Sequence, residues 1–179
     1  MRTSSKLIVA AVAAGFMFFG TQVNAQTTEA KKFNLNLGIE AGLPTGNQAN
    51  YANFDLGGTV RLQYGLTNDL AVMATTGGYH FFMKANPANG VTYSSFGIGP
   101  VKVGLKEFFV PNIYIDAEAG IGREVLESGF AGGQTKFLVS PGIGYANKTW
   151  DYGLHYDSLT GNNNAYGVFN LRIAYGFGL

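Results

Sequence analysis

From Phe33 to its last residue the chain alternates apolar and polar side chains with a period of two, interrupted only by short polar segments. That period belongs to extended strands, whose successive side chains point to opposite faces. In the first segment Phe33, Leu35, Leu37, Ile39, Ala41 and Leu43 share one face. Asn34, Asn36, Gly38, Glu40 and Gly42 share the other, and residues 44–47 (PTGN) break the run. Residues 54–66 repeat the pattern, with Asp55, Gly57, Thr59, Arg61 and Gln63 on the polar side. Segments 70–83 and 93–109 are blurred, because their apolar residues change parity midway. A bulge near Gly77 and Gly78 would switch faces in the first, and one at Pro100, which lacks an N–H, in the second. Segments 113–122, 137–145, 150–157 and 169–179 alternate cleanly, which makes eight strands in all.

The connections alternate in length: about ten residues, then three, nine, three, ten, three and seven. Transmembrane barrels have this rhythm, with short turns on the periplasmic side and longer loops outside. A spanning strand needs roughly 9–11 residues, and eight of them fit the available length where ten would crowd the connections.

The leading segment is of another kind. Arg2 and Lys6 precede an apolar run of 14 residues (7–20), and Val23-Asn24-Ala25 ends on a small residue. At 1.5 Å per residue the run reaches about 21 Å, too short to span a membrane, so residues 1–25 read as a cleaved secretory signal. No cysteine follows it, which excludes a lipid anchor there. The expected organisation is a signal peptide (1–25), a short periplasmic tail (26–32) and a barrel (33–179).

An eight-stranded barrel could instead be soluble, with its apolar face inward. Composition argues for the inverted arrangement. The chain is 46% hydrophobic and 13% charged, against about 25% charged in soluble domains. Its polar face is glycine, Asn and Ser rather than Lys and Glu, which suits a narrow lumen. Aromatics bound the apolar face at both ends, as in membrane girdles: Phe54, Tyr93, Phe137, Tyr156 and Phe169 near the loops, and Tyr64, Tyr145, Trp150 and Phe177 near the turns. The fold class expected is all-β, an eight-stranded antiparallel up-and-down transmembrane β-barrel after a cleaved signal peptide.

The closing segment 170–179 (NLRIAYGFGL), with Tyr175, Phe177 and Leu179 on one face, resembles the C-terminal β-signal of bacterial outer-membrane proteins. Segments 99–106 (GPVKVGLK), 114–122 (YIDAEAGIG) and 140–145 (SPGIGY) resemble the small outer-membrane β-barrel domain family. The resemblance covers 33–179. It implies insertion into a Gram-negative outer membrane by the barrel-assembly machinery, contact with membrane lipid and lipopolysaccharide, and both termini in the periplasm. The family's members serve unrelated roles, so it implies no activity.

Little chemistry stands out. Without cysteine there is no thiol nucleophile or thiolate metal site. His80 and His155 lie on strands of the same direction and could approach, but a third metal ligand is missing. His155, Asp157 and Ser158 sit where the seventh strand reaches the rim. Lipid A deacylases, also eight-stranded barrels, carry a His-x-Ser pair there; here Asp157 holds the serine position, and Asn170 stands where an acid is needed. The period-two glycines are not a nucleotide fingerprint, and no basic patch suits nucleic acid. No cofactor or metal is expected.

The polar face carries Glu40, Asp55, Arg61, Lys102, Lys106, Asp116, Glu118 and Arg172. Buried charges must pair, so these read as a structural plug of ion pairs. Pairing about the turn at Pro111 sets Lys102 opposite Glu118 if partner numbers sum to 220, and Lys106 opposite Asp116 if they sum to 222. The expectation is a monomeric structural or surface-interaction protein without catalysis, its extracellular partner undetermined. The alternatives are a lipid A-modifying enzyme at the rim and a narrow channel for small or hydrophobic compounds.

Overall fold

Each alternating segment is a strand in the computed structural model, which describes residues 29–86, 90, 92–126, 133–161 and 164–179. The strands are β1 (Phe33–Thr45), β2 (Ala52–Gly65), β3 (Leu70–Met83), β4 (Phe96–Val110), β5 (Ile113–Leu126), β6 (Thr135–Ala146), β7 (Trp150–Gly161) and β8 (Asn164–Gly178). All pair antiparallel in chain order, and β8 closes on β1 to complete the barrel. The expected signal segment and residues 26–28 of the tail lie outside the described residues. Of the rest of the tail, Lys31 donates its N–H to the Gly65 carbonyl at 2.8 Å.

Barrel closure fixes the tilt. Partners directly opposite in the ladders lead from Phe81 through Asp55, Gly42, Asn170, His155, Gly142, Asp116 and Lys106, and return to β3 at Ala71, ten residues away (81 less 71). A shear of ten over eight strands tilts them by roughly 40° to the axis, given about 3.3 Å per residue and 4.8 Å between strands.

The faces are inverted relative to a soluble barrel. Ile39 is 69% exposed and Val103 61%, while Arg61 and Arg172 are fully buried. Every strand presents large exposed apolar side chains. A soluble monomer rarely carries a contiguous apolar patch beyond a few hundred Å². In a bilayer the same surface is solvated by hydrocarbon, and the closed ladder leaves no backbone edge to satisfy. Ring contacts run along the turn end, where Phe33 meets Tyr64, Tyr145 meets Tyr152, and Trp150 meets Tyr175. At the loop end Phe54 stacks on Phe82, and Tyr156 meets Phe169.

Several details differ from the sequence reading. No bulge interrupts β3: its register with β2 is unbroken through Gly77 and Gly78, and odd residues face inward throughout. The pattern blurs because Tyr79 and Phe81 are apolar residues on the lumen side. Nor does β4 bulge at Pro100; its register shift falls between Phe108 and Val110, next to the turn. The ladder from β4 to β3 passes over Gly99 and Pro100 without changing register, and the Thr76 hydroxyl donates to the Pro100 carbonyl at 2.9 Å. β4 begins at Phe96 rather than Tyr93, and β1 runs past Pro44 to Thr45. β7 and β8 extend until only residues 162–163 separate them, so the last loop is far shorter than expected.

Candidate functional site: the filled lumen

Alternation brings one face of each strand into the lumen, and shear sets which side chains meet across it. The β4–β5 register sums to 222, so Lys106 is opposite Asp116 in the ladder. The Lys106 ammonium nevertheless reaches across to β7, donating to Asp151 Oδ2 at 2.6 Å. It also lies 3.8 Å from the centre of the Tyr114 ring, whose hydroxyl donates to Asp151 Oδ1 at 2.6 Å.

Above this pair Arg61 of β2 is the hub. Its Nη2 donates to Glu118 Oε2 at 2.8 Å, its Nε to Thr75 Oγ1 at 3.0 Å, and its Nη1 lies 3.5 Å from Asp116 Oδ2. The Thr75 hydroxyl donates in turn to Glu118 Oε1. Lys102 sits between Glu118 at 3.3 Å and Asp157 at 3.7 Å. Arg172 joins Glu40 at 3.3 Å and Asp151 at 3.6 Å, and Glu40 also accepts from Thr59 and from the Tyr79 hydroxyl at 2.7 Å. Lys102–Glu118 and Arg172–Glu40 join neighbouring strands, whereas Arg61–Glu118, Lys106–Asp151 and Lys102–Asp157 reach across the lumen between non-adjacent ones. A buried ion pair offsets its desolvation only when geometry and extra hydrogen bonds are good, and here hydroxyls supply those bonds.

The sequence reading left Asp151 and Asp157 out of the network. Both share parity with His155 on β7, so their lumen position was readable; their partners were not. Missed too was Lys136, buried beside Glu124 at 3.7 Å near the loop end. Tyr175, Phe177 and Leu179 are exposed on the outer wall, and Phe177 pairs in the ladder with Leu35 of β1.

The rim constellation does not assemble. His155 points inward, with Nε2 3.0 Å from Asp116 Oδ2. Asp157 also points inward and accepts from the Ser140 hydroxyl and from Asn170 Nδ2 at 3.0 Å. Ser158 lies on the opposite parity, outside, so it offers His155 no nucleophile to activate. The two histidines do not approach: His80 is on the outer face, its ring 4.9 Å from that of Phe82. Among the described residues no three His, Asp or Glu side chains converge on a metal position.

The lumen is layered. Toward the loop end, Phe81, Leu138, Leu159, Tyr166 and Val168 form a buried apolar cluster over the charges. Toward the turn end, Phe108 and Tyr114 form a smaller one. A cup of about 410 Å³ opens above the upper cluster, between Ser94, Ser95, Phe96, Glu124 and Tyr166. A depression of about 620 Å³ marks the outer wall where Gly58, Gly78, Gly97 and Gly99 leave the surface bare beside His80. Tyr79 and Ile98 are buried behind it, so the wall is backed by side chains.

No family model matches the chain, and no curated protein sequence matches it. Solved structures do. Ail, the attachment invasion locus protein of Yersinia pestis, aligns over 83% of this chain and 99% of its own, with a TM-score of 0.59 and 13% identity. Neisserial surface protein A aligns over 80% and 95%, with a TM-score of 0.56 and 16% identity. A designed transmembrane β-barrel aligns over 86% and 99%, with a TM-score of 0.50 and 16% identity. At such identities the likeness concerns the fold, that of the small eight-stranded transmembrane barrels.

Proposed function

We propose that this chain is an outer-membrane β-barrel of a Gram-negative bacterium that acts through its place in the membrane and the surface it displays, without catalysis or transport. The observation that carries the reading is the inverted barrel with a filled lumen: hydrocarbon-facing apolar residues outside, and a paired ionic network roofed by apolar side chains inside. Such a lumen leaves no aqueous path, as expected for eight strands. Both termini then lie in the periplasm, the closing strand serves as the signal read by the barrel-assembly machinery, and the outer wall contacts lipid and lipopolysaccharide. The protein works as a monomer.

The displayed surface is the cup and the loops around it. One Ail structure holds a heparin analogue, sucrose octasulfate. The loops of the present chain are unsuited to a polyanion: segments 46–51, 84–95, 127–134 and 162–163 contain Lys84 and Glu127 as their only charged residues. A neutral, Asn- and Ser-rich surface over the aromatic floor of Phe96 and Tyr166 suits an uncharged partner, such as a glycan or a polar protein face. The test is fractionation of cells carrying the full-length gene, followed by conductance of the purified barrel in planar bilayers. Recovery in the outer membrane with a silent bilayer is expected. A soluble periplasmic product refutes the membrane assignment, and steady unitary conductance refutes the filled-lumen reading.

A further inference from the structure

One side chain of the outer wall does not belong in hydrocarbon. Arg123 of β5 is exposed on the outward parity, between Ile121 and Val125. Among the described strand residues it is the one Lys or Arg that faces outward. A guanidinium on the lipid side is costly at mid-bilayer and tolerated near an interface. The register shows that Arg123 lies near one. It is opposite Gly99 of β4, which in the unbroken β3–β4 register meets Gly78. From β3 to β5 the shear carries the ladder toward the loop end. Crossing two strands at about 4.8 Å each, with a tilt of roughly 40°, lifts Arg123 about 6 Å above Gly78 along the axis. His80, two residues beyond Gly78 on β3, is lifted by about 5 Å. The two side chains therefore stand level, and Phe82 of the loop-end aromatic contacts follows directly above, its ring 4.9 Å from that of His80.

Between them the wall is bare. His80 is opposite Gly97, and Arg123 is opposite Gly99, so the strand that separates them carries no side chain at either rung. Two strands apart and offset by two residues, their Cα atoms are about 12 Å from each other. Beside them opens the depression of about 620 Å³, with Gly58 and Gly78 at its floor. Nothing lies within 4 Å of the point where a Cβ of Gly78 would stand. The Arg123 Nη1 donates to Thr135 Oγ1 at 3.1 Å, which orients the guanidinium on the wall. A guanidinium carries five N–H donors in a fork that fits phosphate oxygens, and an imidazole keeps an N–H donor in either charge state. The wall thus sets cationic and N–H donor groups at interface height beside an apolar trough at hydrocarbon height. That division matches an amphiphile with an anionic head and acyl tails.

We propose that Arg123 and His80 hold a phosphate group of lipid A, the lipid part of lipopolysaccharide, and that one of its acyl chains lies in the depression over Gly78. The inference rests on the outer-membrane reading above, which puts the loop end in the leaflet that carries this lipid. Charge complementarity selects the phosphorylated head, and the side-chain-free trough gives a tail a bed that Val and Leu deny it elsewhere on the wall. The site fixes one lipid at one place on the barrel, between β3 and β5.

The test uses the mature chain refolded in detergent, titrated with lipid A and read by native mass spectrometry. One lipid A per barrel is expected, bound about tenfold more tightly than the same lipid stripped of its phosphates, the worth of one charge-assisted contact. Arg123→Gln is expected to erase that preference. Gly78→Leu, whose side chain enters open space outside the barrel, is expected to weaken both lipids alike. Lys148→Gln, at an exposed cation beyond the turn end, is expected to change neither. Equal affinity of the wild type for the two lipids overturns the proposal, and that comparison needs no variant to fold. A phosphate preference that survives Arg123→Gln overturns it as well. So does phosphatidylglycerol binding as tightly as lipid A, because the wall would then read any anionic lipid. Unchanged binding in Gly78→Leu overturns the placement of the acyl chain. None of these results alters recovery of the protein in the outer membrane, so the site and the membrane assignment fail separately.

Discussion

Glu118→Ala probes the ionic network at its most connected carboxylate. Glu118 is 1% exposed and receives Arg61 at 2.8 Å, Lys102 at 3.3 Å and the Thr75 hydroxyl. Alanine removes all of these at once. Breaking a buried pair from one side costs about 3–5 kcal/mol, chiefly because the partner is left charged and buried. Here the cations are not wholly abandoned: Arg61 keeps Asp116 at 3.5 Å and Thr75 at 3.0 Å, and Lys102 keeps Asp157 at 3.7 Å. That argues for the lower end of the range, to which the lost Thr75 bond adds about 1 kcal/mol. The expected loss is about 4 kcal/mol in all. Removing charge from both sides, as in Lys102→Met with Glu118→Leu, should recover part of it, because an apolar pair carries no desolvation cost. The assay is urea unfolding of the barrel in lipid vesicles, read by the fluorescence of Trp150, the only tryptophan. A loss below about 1 kcal/mol for Glu118→Ala would refute the reasoning, since it would mean that water reaches Arg61 and Lys102.

Further outcomes follow from the wall. Val103→Arg places a guanidinium in hydrocarbon and should lower stability by about 2–4 kcal/mol in the same urea assay; a neutral effect would contradict the lipid-facing assignment. Gly120→Val forces a side chain against the Val101 carbonyl oxygen and within 2.8 Å of Lys102 Cα, so the backbone must shift. Its expected cost is about 1–3 kcal/mol by equilibrium unfolding. Deleting residues 177–179 should leave export intact while abolishing heat-modifiable barrel in the membrane fraction; normal yield would sink the closing-signal assignment.

Strand β5 shows how much the sequence discloses. Its alternation of Ile113, Ile115 and Ala117 with Tyr114, Asp116 and Glu118 announces both strand and faces, because a period of two has one structural meaning. Strand β3 shows where that logic stops. Tyr79, Phe81 and, on other strands, Ile98 and Leu138 are apolar yet face the lumen, so a rule of polar-in and apolar-out demands a bulge that the backbone does not make. The signal that separates these cases is parity carried unbroken from Ala71 to Phe81, which requires trusting register over hydrophobicity. Ion-pair partners were less legible still. Lys106 pairs with Asp151, 45 residues away on a strand that it does not adjoin, and that meeting depends on a shear that no single strand encodes. The rim constellation failed for a local reason: Ser158 follows Asp157, and adjacent residues of a strand cannot share a face.

The lumen partners lie far apart along the chain, and this bears on the order of assembly. Arg61 and Glu118 are separated by 57 residues and come from the second and fifth strands, so no hairpin on its own can bring them together. Lys102 can meet Glu118 within one hairpin, but until the cylinder is complete a partial sheet leaves its cross-lumen charges, such as Lys106 and Asp151, uncompensated on one side and carries grease on the other. Such a sheet has no comfortable place, neither in water nor in the bilayer. Much of the reward therefore arrives late, when the eighth strand meets the first. A chain built in this way should populate few half-formed states, and it should depend on help from outside to hold its early strands at the membrane's edge until the circle closes.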